Sequence, residues 1–292
     1  MASMRDIRTR IKSVKETMQI TKAMNLISSA KLKKARRQLN DTLPYFEKIQ
    51  ATLVDILHHS QGMEHRYLKQ VKKGEPKKVG YFVITADKGL CGAYNHNVIK
   101  LAEATMQDVE HKHLFVVGNM GREYFARKKF PIDVEFLYTA QSPTLHRTRE
   151  IARTMLSLFE QGELDEIYVV YTKMISSLRL EPQVLKILPL DKNIIEDKKN
   201  TENKYHEFMS YDPSAERVLD VVAPIFVKGV IYGAMVESYS SEQSARMTAM
   251  DAATKSAKDM IKDLTLLYNR ARQASITQEI SEIVGGANAL KG

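Results

Sequence analysis

The chain has 292 residues and 33.3 kDa, with 43% hydrophobic and 27% charged residues, which suits two domains or one domain with long extensions around a sizeable core. Thirteen glycines and eight prolines exclude collagen-like and low-complexity chains, and a single cysteine, Cys91, excludes a disulfide framework, a cysteine zinc cluster and a CxxC pair. The net charge of +9 is local: residues 1–40 carry eleven basic side chains against Asp6 and Glu16, so the rest of the chain sums to zero.

The basic residues are Arg5, Arg8, Arg10, Lys12, Lys15, Lys22, Lys31, Lys33, Lys34, Arg36 and Arg37. Such a band attracts an acidic surface, whether nucleic acid, anionic lipid or protein; a solvated helix face is the plainer reading. The same segment carries a helix signal. Stepping by alternating threes and fours from Met4 to Ile56 meets sixteen positions, of which twelve are apolar. That is the 3.5-residue period of a coiled-coil seam on one long helix, residues 1–57. Three of the four exceptions, Thr21, Asn25 and Ser28, fall together, and there the apolar residues Ile20, Met24 and Ile27 move to a neighbouring face. The helix is expected to face a second partner at that point. Pro44 should kink or break it.

Residues 58–213 are expected to form a central α/β domain. β-rich runs at 79–85, 114–117, 134–138, 167–171 and 184–188 alternate with helical patterns at 95–109, 120–128 and 143–161, the last with Ser142 as a cap. Strands alternating with helices indicate a mainly parallel, three-layer sheet. A polar stretch at 192–213 reads as a flexible connection.

Residues 214–292 are expected to form a second long helix, with Asp212 as N-cap, Pro213 at the first helical position and Gly285-Gly286 as the stop. Its seam is Met250, Ala253, Ala257, Met260, Leu264, Leu267, Ala271 and Ala274. The two helices, roughly 85 and 105 Å long at 1.5 Å per residue, are expected to pair as an antiparallel left-handed coiled coil that overhangs the central domain. The most apolar window, 218–236, is broken by Asp220, Pro224, Lys228, Gly229 and Gly233, which argues against a membrane span.

Catalytic signals are poor. There is no phosphate-binding GxxxxGK[ST] and no GxGxxG after a strand. The turn Asp87-Lys88-Gly89-Leu90-Cys91-Gly92 follows the first strand, where such folds bind ligands, and reads best as a structural turn. Cys91 lacks an evident histidine partner, and His111 and His113 are too few for a metal site. No cofactor is expected.

Four blocks, in order from end to end, carry a family resemblance. Residues 7–32 (IRTRIKSVKETMQITKAMNLISSAKL) resemble the N-terminal helix of the γ subunit of F-type ATP synthase. ADKGLCGAYN (86–95) is similar to that family's first strand-turn-helix, SEQSARMTAM (241–250) matches as well, and YNRARQASITQEISEIVGGA (268–287) resembles its C-terminal signature.

The resemblance implies a central rotor shaft inside a hexamer of three α and three β subunits, with the α/β domain against the ε subunit and the c-ring. Proton-driven rotation of the ring would then drive the catalytic β sites through ATP synthesis, while this subunit itself catalyses nothing. By the same resemblance Met24 meets a mobile acidic part of β, and Lys22, Lys33 and Arg36, with their basic neighbours, face acidic surfaces. Arg272 and Gln273 hold a β loop, and Arg246, Thr277, Glu279 and Glu282 are linked to coupling. Ile276, Ile280, Ile283, Val284 and Leu290 form an apolar tip. The lone Cys91 and a start directly at the helix point to a bacterial-type subunit, peripheral on the cytoplasmic side of the plasma membrane. The rival reading is a basic coiled-coil nucleic-acid-binding protein, and residues 1–40 contain no Phe, Tyr or Trp to serve it.

Overall fold

The computed structural model describes residues 3–59, 63–68, 76–136, 143–177, 179–190 and 211–289. The chain divides into two compact units, Ser29–Ala245 and the pair Met1–Ser28 with Arg246–Gly292. Helix α1 spans Met4–His59 and the last helix, α5, spans Ala215–Ala289. Between them lie β1 (Lys78–Ile84), α2 (Tyr94–Met106), β2 (His111–Val117), α3 (Asn119–Arg127), β3 (Val134–Glu135), α4 (Leu145–Glu160), β4 (Glu166–Met174) and β5 (Leu180–Leu188).

In the larger unit the sheet order is β3-β2-β1-β4-β5, with the first four strands parallel and β5 antiparallel to β4. Alternate side chains of each strand point to opposite faces, and both faces are covered, so the strands read as nearly continuous apolar runs. Tyr81, Val83, Leu114, Val116 and Val170 face Val98, Ile99, Ala102 and Met106 of α2 and Phe125 of α3. Phe82, Phe115, Ile167 and Val169 face α4, the end of α1 (Leu53, Ile56, Leu57) and the start of α5. This is the expected three-layer α/β domain. Gly118 closes the β2–α3 turn at φ 96°, where a Cβ would stand 2.2 Å from the Thr85 carbonyl oxygen. The Thr85 hydroxyl donates to the Val117 carbonyl (2.9 Å) and accepts the Gly121 N–H (3.0 Å).

Several boundaries differ from expectation. Thr144 caps α4, accepting the Arg147 N–H; Ser142 lies outside the described residues, as do 137–138 and 191–210. Ser214, not Asp212, caps α5: its hydroxyl accepts the Arg217 N–H (3.4 Å) and its carbonyl the Val218 N–H (3.1 Å). The N-cap is the residue whose own carbonyl opens the helical ladder, and that residue is Ser214. Gly285 and Gly286 do not stop α5, because neither adopts the positive φ of a helix C-cap. Both helices also continue through Pro44 and Pro224 without a break. By length and composition α5 does contain a stretch apolar enough to cross a membrane, contrary to the sequence reading. Of that stretch 56% is buried inside the chain's own fold, which accounts for its apolarity.

Close packing fixes the register of the two long helices within the larger unit. Ala35, Leu39 and Phe46 of α1 pack with Tyr232, Val236 and Tyr239 of α5. A Cβ on Gly229 would lie 2.3 Å from Cδ1 of Phe46, so the ring rests directly on helix backbone.

Candidate partner-binding surface

The smaller unit contains only the first part of α1 and the last part of α5. Thr21 bonds Thr254 (2.8 Å), and the Asn25 side-chain amide donates to the Met247 carbonyl (3.0 Å). As the α1 number rises, the α5 number falls, so the helices are antiparallel. All sixteen predicted seam positions of α1 are buried or half-buried, including the polar Thr21, Asn25 and Ser28. The 3.5-residue pattern therefore gives the inward face even where its residues are polar.

For α5 five of the eight predicted seam positions, Ala253 among them, are buried or half-buried, and Met260, Leu267 and Ala274 are exposed. Met250, Ala257, Leu264 and Ala271 turn inward, but the alternate positions are Thr254, Ile261, Tyr268 and Ser275. Met260 and Leu267, which were expected inside, are 43% and 53% exposed. Steps of four and three replace steps of three and four. Adjacent residues are both plausible fillers, and the Thr21–Thr254 bond favours the second of each pair at that layer.

The outward faces of this unit keep a large apolar area. Ile20, Leu26, Ile27, Leu266, Ile276, Ile280, Ile283 and Val284 are all exposed. From Ile276 to Ala287 every residue is exposed. A monomeric protein rarely leaves so much apolar surface in water, and such surfaces mark interfaces.

Within this unit every predicted contact residue that is described, other than Arg246, is exposed or half-buried. Lys22 is exposed and Met24 half-buried; Arg272, Gln273, Thr277, Glu279 and Glu282 are exposed, as are Ile283 and Val284. Arg246 is instead buried, with 9% exposure. It shares a level of the pair with Met24, since Asn25 and Met247 are bonded. Near the end of α5, Glu279 accepts from Ser275 (3.4 Å) and Glu282 from Gln278 (3.0 Å), both one helical turn apart. Leu290 lies outside the described residues. Lys33 and Arg36 are exposed on the larger unit, where a guanidinium nitrogen of Arg36 lies 3.1 Å from the Met174 sulfur. All eleven basic residues of the N-terminal band are exposed.

The turn after β1 is held by its own side chains. The Asn95 carbonyl oxygen accepts the Ala86 N–H (2.9 Å), its amide donates to the Cys91 sulfur (3.3 Å), and Asp87 accepts the Asn119 N–H (3.2 Å). Cys91 is buried. His113 pairs with Asp133 (3.0 Å), and among the described residues no group of three His, Cys, Asp or Glu side chains could hold a metal ion.

Sequence reasoning missed three serines of α5. Ser238 accepts the Thr172 N–H (3.1 Å), Ser241 donates to the Thr172 carbonyl (3.0 Å), and Ser244 donates to the Ser177 carbonyl (2.9 Å). The spacing Ser238-x-x-Ser241-x-x-Ser244 inside an apolar helix was the available signal. Beside them burial raises the Glu237 carboxyl above its ordinary value, against the pull of Lys173, the Met174 N–H and Arg36. Burial, followed by the charge of Glu237, pushes Tyr171 up to about 12.

A family model described as ATP synthase matches residues 3–290. The chain is 51% identical over 291 residues to the ATP synthase gamma chain of Ruminiclostridium cellulolyticum, covering 99% of each. It is 48% identical to that of Acetivibrio thermocellus, covering 100% of each, and 42% identical to the sodium ion specific gamma chain of Acetobacterium woodii, covering 99% of each. Among solved structures, a chain of the Euglena gracilis mitochondrial ATP synthase matches with a TM-score of 0.68 at 17% identity, over 98% of this chain and 94% of that one. A chain of the Tetrahymena thermophila central stalk and c-ring matches at 0.57 and 21%, over 80% of this chain and 99% of that one. These relatives give the nucleic-acid reading no support. The sheet domain, the antiparallel helices and full-length identity of this order place the chain in the ATP synthase gamma-chain family.

Proposed function

We propose that this chain is the central rotor shaft of an ATP synthase, a subunit that transmits rotation and leaves catalysis to others. The observation that carries the reading is the paired-helix unit of a gamma-family chain whose seam is closed while its outward faces stay apolar. Those faces suit a surrounding sleeve of α and β subunits. The exposed basic band suits acidic patches on the sleeve, because screened attraction between exposed charges steers without creating a deep bound state. The sheet domain is assigned to the ε subunit and the c-ring, and the complex to the cytoplasmic side of the plasma membrane, driven by protons. The division at 57/58 and 213/214 then separates shaft from base.

Reconstitution with α and β tests this. A bead fixed to the sheet domain is expected to turn in one direction during ATP hydrolysis; steady hydrolysis with a stationary bead would refute it. Charge reversal at Arg272, or Met24→Lys, is expected to lower ATP-driven proton pumping several-fold while assembly is retained. Equal loss of assembled complex would count against both contact assignments.

A further inference from the structure

At the carboxyl ends of β1 and β4 the sheet reverses its strand order, and ligands of such sheets seat in the crevice that opens there. In this chain the crevice holds a helix. The pairing of β1 with β4 ends at Val170, while β4 continues to Met174. Thr172 lies opposite Pro182 of β5, which has no N–H to give. Both backbone groups of Thr172 are taken by α5: Ser238 accepts its N–H and Ser241 donates to its carbonyl. Ser244 reaches the next loop at Ser177. On the other lip of the crevice, Ala245 packs against Ala86, Cys91 and Tyr94. The three serines are buried, and steps of three keep them on one side of the helix.

Close apolar packing already sets the register of α5, and hydrogen bonds add a directional constraint, since they hold only when donor and acceptor stay aligned. We infer that Ser238, Ser241 and Ser244 act as a torque clasp. They are positioning residues that fix the rotational setting of α5 against the sheet, so that turning force on the sheet domain reaches the shaft without slip. The inference rests on the rotor reading above.

The test is the reconstituted complex carrying S238A/S241A/S244A, with a load attached through Glu163→Cys, an exposed residue of the sheet domain. Unloaded ATP hydrolysis is expected to stay within about twofold of the parent. Stall torque on the load, and protons pumped per ATP in the membrane complex, are expected to fall several-fold. A reversible crosslink supplies the rescue: S238A/S241A combined with S177C/S244C is expected to regain torque when oxidised and lose it when reduced. Parental torque in the triple variant overturns the clasp. So does a fall in torque matched by an equal fall in unloaded hydrolysis, or an oxidised crosslink that leaves torque low. If the triple variant does not assemble, S241A alone is judged by the same criteria. A parent complex that hydrolyses ATP without turning its load would instead remove the rotor reading itself.

Discussion

The two ends of the long helix α1 bury the same 3.5-residue stripe with opposite chemistry. In the sheet-bearing unit the stripe is Leu39, Phe46, Ile49, Leu53 and Ile56, and the last two are wholly buried. In the helix-pair unit it includes Thr21, Asn25 and Ser28, while Ile20, Leu26 and Ile27 face outward. One end maximises apolar burial. The other gives up burial for directional bonds to α5 and leaves its apolar side chains for another surface. A seam is therefore a geometric property first, and its composition follows from what each stretch must also face.

The contrast makes quantitative demands. Leu53→Ala removes a side chain with 0% exposure and is expected to destabilise the purified chain by about 2–5 kcal/mol in urea unfolding. The same truncation at Ile27, 54% exposed, is expected to cost no more than about 0.5 kcal/mol. Equal costs would erase the distinction between the two ends.

A smaller effect sharpens the polar end. Thr21 also contacts the Met18 carbonyl (3.0 Å) and Thr254 the Met250 carbonyl (2.8 Å). The two hydroxyls have two protons for three contacts, so one hydroxyl donates across the pair and the other to its own helix. Thr21→Val leaves the buried Thr254 hydroxyl without its cross-helix partner and is expected to cost about 1–2 kcal/mol. The double variant T21V/T254V is expected to recover most of that loss. Strictly additive losses in a double-mutant cycle would show that the bond contributes nothing of its own.

The smallest effect lies at the clasp. Burial holds the Glu237 carboxyl above its ordinary 4.5, so the folded state binds the proton more tightly than the unfolded state. The stabilisation this gives is complete below the unfolded value and is lost as pH rises through the folded one. Glu237→Gln is therefore expected to melt slightly higher than the parent at pH 7, with the gain disappearing below about pH 4. A lower melting temperature at pH 7 would mean that Lys173 and Arg36 outweigh the burial.

The legibility of the sequence varied with how many residues competed for each position. The α1 seam was readable because its 3.5-residue register runs unbroken from Met4 to Ile56, and that register decided even at Thr21, Asn25 and Ser28, where apolar Ile20, Leu26 and Ile27 stand one residue away. On α5 the pairs Met260/Ile261 and Leu267/Tyr268 offer two apolar choices each, and periodicity cannot rank them. The five strands were visible as apolar runs, but their ends depend on pairing partners: β5 begins at Leu180 because β4 pairs with it, not because Glu181-Pro182-Gln183 favours a strand. The helix stop at Gly285 failed because glycine permits a left-handed cap without requiring one. The serine clasp was hidden because its partners are backbone groups of a strand more than sixty residues earlier.

The tail of α5 carries a mechanical corollary. Every residue from Ile276 to Ala287 is exposed, so this stretch, about 18 Å of helix, rises without a helix packed against it among the described residues. Resistance to bending grows steeply with the thickness of a rod, so this solitary length is the most pliant section of its unit. On the rotor reading proposed above, wobble of the shaft against its surroundings would be taken up there by elastic flexing, sparing the stiffer two-helix portion below.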